Sequence, residues 1–113
     1  MQKECDISVK ASDELIKIEI IGALTASAED EMDKAIQKTS TCKADKILVV
    51  FDGSSRINSA GIAIMINLVI KSQESNRKVY ITGVSKHFCK IFELVGLTRY
   101  ATIVNSEDEI KET

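Results

Sequence analysis

Isoleucine and valine alternate with polar residues over positions 7–10 and again over 15–21. A period of two is typical of β-strands that bury one face. The residues between them, 11–14, are polar and turn-forming. The pattern predicts a β-hairpin at the start of the chain, lying at the edge of a sheet.

Helical and strand patterns alternate in the rest of the chain. Spacings of three and four predict helices over 28–39 and 60–75 and from Ser85, with a stripe of Phe88, Ile91, Phe92 and Val95. Strands are predicted over 47–51, 79–82 and 102–104, and a capping box over 106–109 begins a last helical turn. Because 47–51 is continuously apolar, it is expected to be a central strand buried on both faces.

This order predicts one α/β domain over residues 1–113, with a mixed, mostly parallel sheet, an N-terminal antiparallel hairpin and about four helices. Ser27 is the expected N-cap of the first helix, and Gly96 the expected C′ residue of the third. For the second helix, Asn58 and Ser59 are both suitable N-caps.

The second helix is apolar nearly all round. Ile62, Met65, Ile66 and Val69 form one stripe, and Ile64 and Leu68 form another. Such a helix is either deeply buried or has a second apolar face that contacts a partner. Since full burial on one sheet face is difficult in so small a domain, partner contact is the favoured interpretation.

The polar segment 52–61 connects the predicted central strand to this helix. Loops at the carboxyl ends of such strands commonly carry the function of α/β proteins. Ser59 lies at the helix N-terminus, where a negative charge is stabilised, and this position predicts a phosphate acceptor. The alternative is that these residues have only structural roles. Asp52 would then form hydrogen bonds with loop amides, Ser54 and Ser55 would form a polar turn, and Asn58 or Ser59 would cap the helix.

Composition excludes several classes of function. A net charge of −2 gives no basic footprint for nucleic acid. No apolar run is long enough for a membrane span, and the polar N-terminus does not resemble a signal peptide, so a cytoplasmic location is expected.

The residues also lack the sets that catalysis or metal binding requires. Cys5, Cys42 and Cys89 are far apart in sequence and are expected to be reduced thiols without a metal. His87 is the single histidine, and no catalytic triad or nucleotide-binding glycine motif is present. We therefore expect neither enzymatic activity nor a cofactor.

Several segments, in order and over nearly the whole chain, resemble the STAS domains of anti-sigma-factor antagonists. They are Gly22-Ala-Leu24, Asp52-Gly-Ser54, Ile57-Asn-Ser-Ala-Gly-Ile62 and Ile91-Phe-Glu-Leu-Val-Gly-Leu97, followed by Ile103 and Ser106. The resemblance implies a mixed sheet with helices, which agrees with the predicted pattern.

The resemblance also implies a partner switch. Unphosphorylated relatives bind an anti-sigma factor that is a serine kinase. The kinase phosphorylates the serine that corresponds to Ser59, and a PP2C-type phosphatase restores it. Many relatives have Asp before this serine, where this chain has Asn58. The expected partner surface comprises Asp52, Ser54, Arg56, Asn58, Gly61, Ile62 and Ile66, on a protein that is a monomer or a weak dimer.

One alternative stays open, and a second is disfavoured. A STAS module that is never phosphorylated would act as a scaffold or as a subunit of a larger regulatory assembly. A two-component receiver domain would use Asp52 as its acceptor, but the chain lacks the acidic pair and the lysine that such a site requires.

Overall fold

A computed structural model describes residues 5–53 and 56–112. Its strands are β1 (Cys5–Ala11), β2 (Ile16–Gly22), β3 (Lys46–Phe51), β4 (Lys78–Thr82) and β5 (Ala101–Ile103). Its α-helices are α1 (Glu29–Thr39), α2 (Ser59–Glu74) and α3 (Lys86–Leu94), and 3-10 helices cover Ala26–Ala28, Leu97–Arg99 and Glu107–Glu112.

The strands form one sheet in the order β1-β2-β3-β4-β5. The β1–β2 pair is antiparallel and the other pairs are parallel, which confirms the predicted hairpin and mixed sheet. The Ser12 hydroxyl accepts hydrogen bonds from the N–H groups of Glu14 and Leu15, at 3.3 and 3.1 Å, and fixes the hairpin turn.

β3 lies at the centre of the sheet, as its continuous apolar sequence predicts. Ile47 and Val49 belong to the main core, which one face of the sheet forms with α1, α2 and α3. Leu48 lies on the other face, in a smaller cluster with Tyr80, Val104 and Ile110. The helices therefore cover one face of the sheet, and the C-terminal 3-10 segment contributes to covering the other.

An ion pair joins this 3-10 segment to the sheet. Lys10 and Lys17 are directly opposite in the hairpin register, where like charges repel. Each has an acidic partner, Lys10 with Glu19 at 3.1 Å and Lys17 with Glu107 at 2.6 Å. Lys17 donates a hydrogen bond to the Glu107 carboxylate, which raises the pKa of Lys17, and the pair connects β2 to the C-terminal segment.

The predicted cap of α1 is wrong. Ser27 lies within a 3-10 turn over Ala26–Ala28, in which the N–H of Ala28 donates to the carbonyl of Thr25 at 3.0 Å. The Ser27 hydroxyl is hydrogen-bonded to that of Thr25 at 2.9 Å. Ala28 is the N-cap of α1, where the 3-10 turn leads directly into the helix, and its methyl side chain cannot accept a capping hydrogen bond.

The third helix ends one residue before the predicted apolar stripe does. Gly96 has a φ of 83°, which confirms it as the left-handed residue after α3. Val95 is 46% exposed rather than part of the core stripe, because the chain leaves the helix there, and Leu97 is buried in its place.

The fourth predicted helix is a 3-10 helix. The Glu109 carboxylate accepts hydrogen bonds from the backbone N–H groups of Asn105 and Ser106, which is the acidic half of the predicted capping box. The preceding strand is shifted by one residue from the prediction, to Ala101–Ile103.

Arg77 secures the connection between α1 and β3. Its guanidinium donates to the carbonyls of Thr39, Cys42 and Ala44 at 2.8, 2.7 and 2.9 Å. A further bond of 3.3 Å reaches the hydroxyl of Thr39. The Thr39 carbonyl lies at the end of α1, and the carbonyls of Cys42 and Ala44 lie in the connection that follows, so Arg77 provides donors both at the helix end and beyond it.

Candidate functional site

The loop before α2 is attached to the end of the second strand through Leu24. Leu24 forms an isolated parallel bridge with Ile57. The N–H of Leu24 donates to the carbonyl of Arg56 at 2.7 Å, and the N–H of Asn58 donates to the carbonyl of Leu24 at 3.4 Å. Leu24 is fully buried, so these bonds fix the start of α2 to the core.

Asn58 is the N-cap of α2. Its backbone is extended, and its side-chain Oδ1 accepts a hydrogen bond from the N–H of Gly61 at 2.9 Å. Of the two suitable caps, Asn58 and Ser59, the structure uses Asn58, and Ser59 is the first residue of the helix.

Ser59 is exposed, and its hydroxyl makes no hydrogen bond with any described residue. The N–H groups of Ser59 and Ala60 likewise donate to no acceptor within the described residues. These groups lie at the positive end of a 16-residue helix with no acidic residue in its first turn. The site therefore offers an accessible hydroxyl beside amides that can accommodate an anion.

Gly61 is required by the protein's own packing. A Cβ atom at this position would lie 2.1 Å from the carbonyl oxygen of Leu24 and 2.9 Å from the Ile57 side chain. Gly61 is buried, although it belongs to the expected partner surface. The close approach is that of the Leu24 backbone, and it holds the beginning of α2 against β2.

The outward face of α2 continues from Ser59. At about 100° per residue, Ser59, Ala63, Ile66 and Ile70 share one side of the helix. Ile70 is 51% exposed, and Ile66 is half-buried, as is Ile62 at the edge of this side.

The inward face of α2 consists of Ile64, Met65, Leu68 and Val69, each at most 7% exposed. The two interpretations of the apolar helix therefore apply to different residues. The stripe with Ile64 and Leu68 is core, whereas Ile62 and Ile66 divide their surface between core and solvent. Ile70, which sequence reasoning did not include, extends the outward face by one turn beyond Ile66.

Three further residues of the expected partner surface belong to the loop. Asp52 follows β3 and is exposed, and Arg56 is exposed beside the bridge to Leu24. Ser54 lies outside the described residues. Gly53 has a φ of 84°, a left-handed conformation that turns the chain away from the strand.

The described residues contain no group of His, Cys, Asp and Glu that could hold a metal ion. The three cysteines are free. Burial, together with the carboxylates of Glu31, Asp6 and Asp52, raises the pKa of the Cys5 thiol to about 11. At neutral pH this thiol is protonated, and a protonated thiol is a poor nucleophile.

His87 is exposed at the start of α3, and its ring contacts Phe88 edge-to-face at 5.1 Å between centroids. In the described part of the chain, no helix has the length and apolar character needed to cross a membrane.

The family model for the STAS domain matches residues 6–110. No curated protein shows significant sequence similarity to the chain.

Solved structures share the fold at low sequence identity. An anti-sigma factor antagonist from Mycobacterium paratuberculosis has a TM-score of 0.76 at 12% identity, over 96% of this chain and 92% of that one. A serine-to-glutamate variant of RsbS from Moorella thermoacetica has a TM-score of 0.78 at 11% identity, over 94% and 95%. The Bacillus cell fate determinant SpoIIAA in its phosphorylated form has a TM-score of 0.61 at 14% identity, over 95% and 98%.

Proposed function

Because this chain belongs to the STAS domain family, we propose that it is an anti-sigma-factor antagonist in a partner-switching system. In this proposal the unphosphorylated protein binds an anti-sigma factor that is a serine kinase. Phosphorylation of Ser59 by that kinase ends the binding, and a PP2C-type phosphatase restores it. The protein has a regulatory role and no enzymatic activity of its own.

Two of the structural neighbours are consistent with control at a serine. One is SpoIIAA in its phosphorylated form, and the other is RsbS with a serine replaced by glutamate. Those descriptions concern the neighbours, and their transfer to Ser59 is part of the proposal.

The observation that carries the proposal is the position of Ser59. Its exposed hydroxyl lies beside the first N–H groups of α2, which donate to no described residue, and on the same side of the helix as the exposed part of Ile66 and Ile70. A phosphate there adds about −1.5 to −2 charges to the end of an apolar face. The amides stabilise that charge within the folded protein, so the domain stays folded.

A partner that covers this face would have to desolvate the phosphate. Burying a charge without a partner costs several kcal/mol. A hundredfold loss of affinity requires only about 2.8 kcal/mol. The switch therefore acts at the interface, and Arg56, which is exposed in the loop, is available to pair with the phosphate in the free protein.

We expect Ser59→Asp to weaken binding to the cognate kinase by about a hundredfold, whereas Ser59→Ala binds without regulation and accepts no phosphate. Binding is measured by calorimetry against each anti-sigma serine kinase encoded in the same genome, purified separately. Ser85→Asp is the matched control, because Ser85 is an exposed serine at the start of α3 whose side chain accepts from Phe88 N–H. It should bind as the parent does.

Phosphosite mass spectrometry on the protein from growing and stressed native cells tests the same proposal in vivo. Phosphate on Ser59 that changes with condition supports the switch. If the parent, Ser59→Ala and Ser59→Asp all bind the kinase equally well, the switch is rejected. The protein would then be a scaffold.

A further inference from the structure

A groove of about 360 Å³ runs between α1 and α2, beside the outward face of α2. Met32 and Ile64 contribute apolar surface to it. Ala60 and Ala63 line the α2 side, and their small side chains leave space near Ser59. On the α1 side, Glu29 and Asp33 are separated by one helical turn.

The two carboxylates have no cationic partner within residues 5–53 and 56–112. Neither Glu29 nor Asp33 forms an ion pair with any residue of the described chain. Lys71 also lines the groove, but its ammonium nitrogen lies beyond ion-pair distance of both carboxylates. Like charges four residues apart on a helix repel each other, so the groove holds two acidic groups that the fold leaves uncompensated.

We propose that this groove receives an arginine or lysine side chain from the kinase, held by Glu29 and Asp33. This inference rests on the proposed function and extends its interface from α2 to α1. The apolar surface of Met32 and Ile64 suits the aliphatic part of such a side chain, and the carboxylates suit its charged end.

Charge complementarity has a measurable signature. Carboxylates at the edge of an interface accelerate the association of a cationic partner, and salt weakens this effect. Removing them should lower the association rate and flatten its dependence on salt. Substitution of a residue that only supports the fold would change neither the association rate nor its dependence on salt.

The matched pair of variants is Glu29→Lys and Asp30→Lys. Both residues are acidic, exposed and in the first turn of α1, so both variants change the net charge and the helix-dipole interaction equally. Of these two residues, only Glu29 lines the groove. We expect Glu29→Lys to weaken kinase binding about tenfold or more, and Asp30→Lys to weaken it less than about twofold.

Asp33→Lys is expected to behave as Glu29→Lys does. Lys71→Ala, which removes a cation from the same groove, is expected to bind the kinase at least as tightly as the parent. Association rates are measured by stopped flow at three salt concentrations, and circular dichroism verifies that each variant is folded.

Other outcomes overturn the inference. Equal effects of Glu29→Lys and Asp30→Lys would reduce the role of α1 to general electrostatics, while Ser59→Asp would still report on the switch. If neither Ser59→Asp nor the groove variants change binding, the proposed function is rejected together with the groove. A parent protein that sediments as a dimer, and Asp33→Lys as a monomer, would assign the groove to a second copy of the chain.

Discussion

At the scale of single residues, the start of α2 depends on two neighbours with different tasks. Asn58 caps the helix through its side chain, and Gly61 allows the Leu24 carbonyl to lie against the helix. Ser59, between them, contributes to neither task. A residue that the fold does not use can carry a modification without loss of structure.

We expect Gly61→Ala to destabilise the protein by about 1–3 kcal/mol, because the added methyl group would overlap the Leu24 carbonyl and the backbone would have to move. Its φ is not positive, so the cost is steric. Urea unfolding, followed by circular dichroism, measures the change.

Gly96→Ala separates this effect from backbone strain. Gly96 has a φ of 83°, but nothing lies within 4 Å of its added Cβ. The expected cost is about 1 kcal/mol, from conformation alone. A Gly61→Ala variant as stable as the parent would show that α2 can separate from Leu24 without cost.

At the scale of elements, the end of α1 depends on a residue that precedes β4. Arg77→Ala would leave the carbonyls of Cys42 and Ala44 without this donor, in a region that is partly buried, whereas the carbonyl of Thr39 keeps the N–H of Cys42. Unsatisfied groups of this kind cost about 1–3 kcal/mol. We expect a loss of that size in the free energy of unfolding, measured in urea.

Arg77→Lys should recover only part of this stability, because an ammonium group cannot reproduce the planar, five-donor geometry of a guanidinium. Arg99→Ala is the control, since Arg99 is exposed in a 3-10 turn. If Arg77→Ala and Arg99→Ala were equally stable, water would satisfy the carbonyls that Arg77 contacts. Arg77 would then not stabilise the connection between α1 and β3.

At the scale of the whole molecule, the two faces of the sheet are covered differently. Three helices cover one face, whereas the smaller cluster on the other face includes Ile110 from the C-terminal 3-10 segment. Ile110 is 4% exposed. We expect Ile110→Ala to lower the free energy of unfolding by about 2 kcal/mol, as truncation of a buried isoleucine does.

Ile21→Ala provides the comparison, because Ile21 is in β2 and 54% exposed. Its expected cost is about 0.5 kcal/mol or less. Thermal or urea unfolding of both variants gives the difference directly. If Ile110→Ala lowered the free energy of unfolding as little as Ile21→Ala does, the C-terminal segment would contribute little to the stability of the domain.

The order of elements could be predicted because it depends on local patterns. Alternation over 15–21 indicates a strand with one buried face, and continuous apolar sequence over 47–51 indicates a central strand. The bounds and helix types were less predictable at Ser27 and after Ser106, where 3-10 helices precede or replace the predicted α-helices. These turns differ from α-helix by one hydrogen-bond step, which residue type alone does not determine.

The candidate site divides in the same way. The sequence by itself determined that a polar loop with Ser59 precedes an apolar helix, because loop and helix are defined by neighbours along the chain. It did not determine whether Asn58 or Ser59 caps the helix, since both side chains are suitable.

Only the tertiary structure decided which parts of the chain lie against each other. It placed Leu24 beside Gly61, turned Ile64 into the core, left Ile70 on the outside, and brought Glu29 and Asp33 to the groove beside α2. These relations join residues from different elements, and they depend on how helices and strands pack together. Local periodicity gives each element its apolar face, but packing determines which element covers that face and which part remains for a partner.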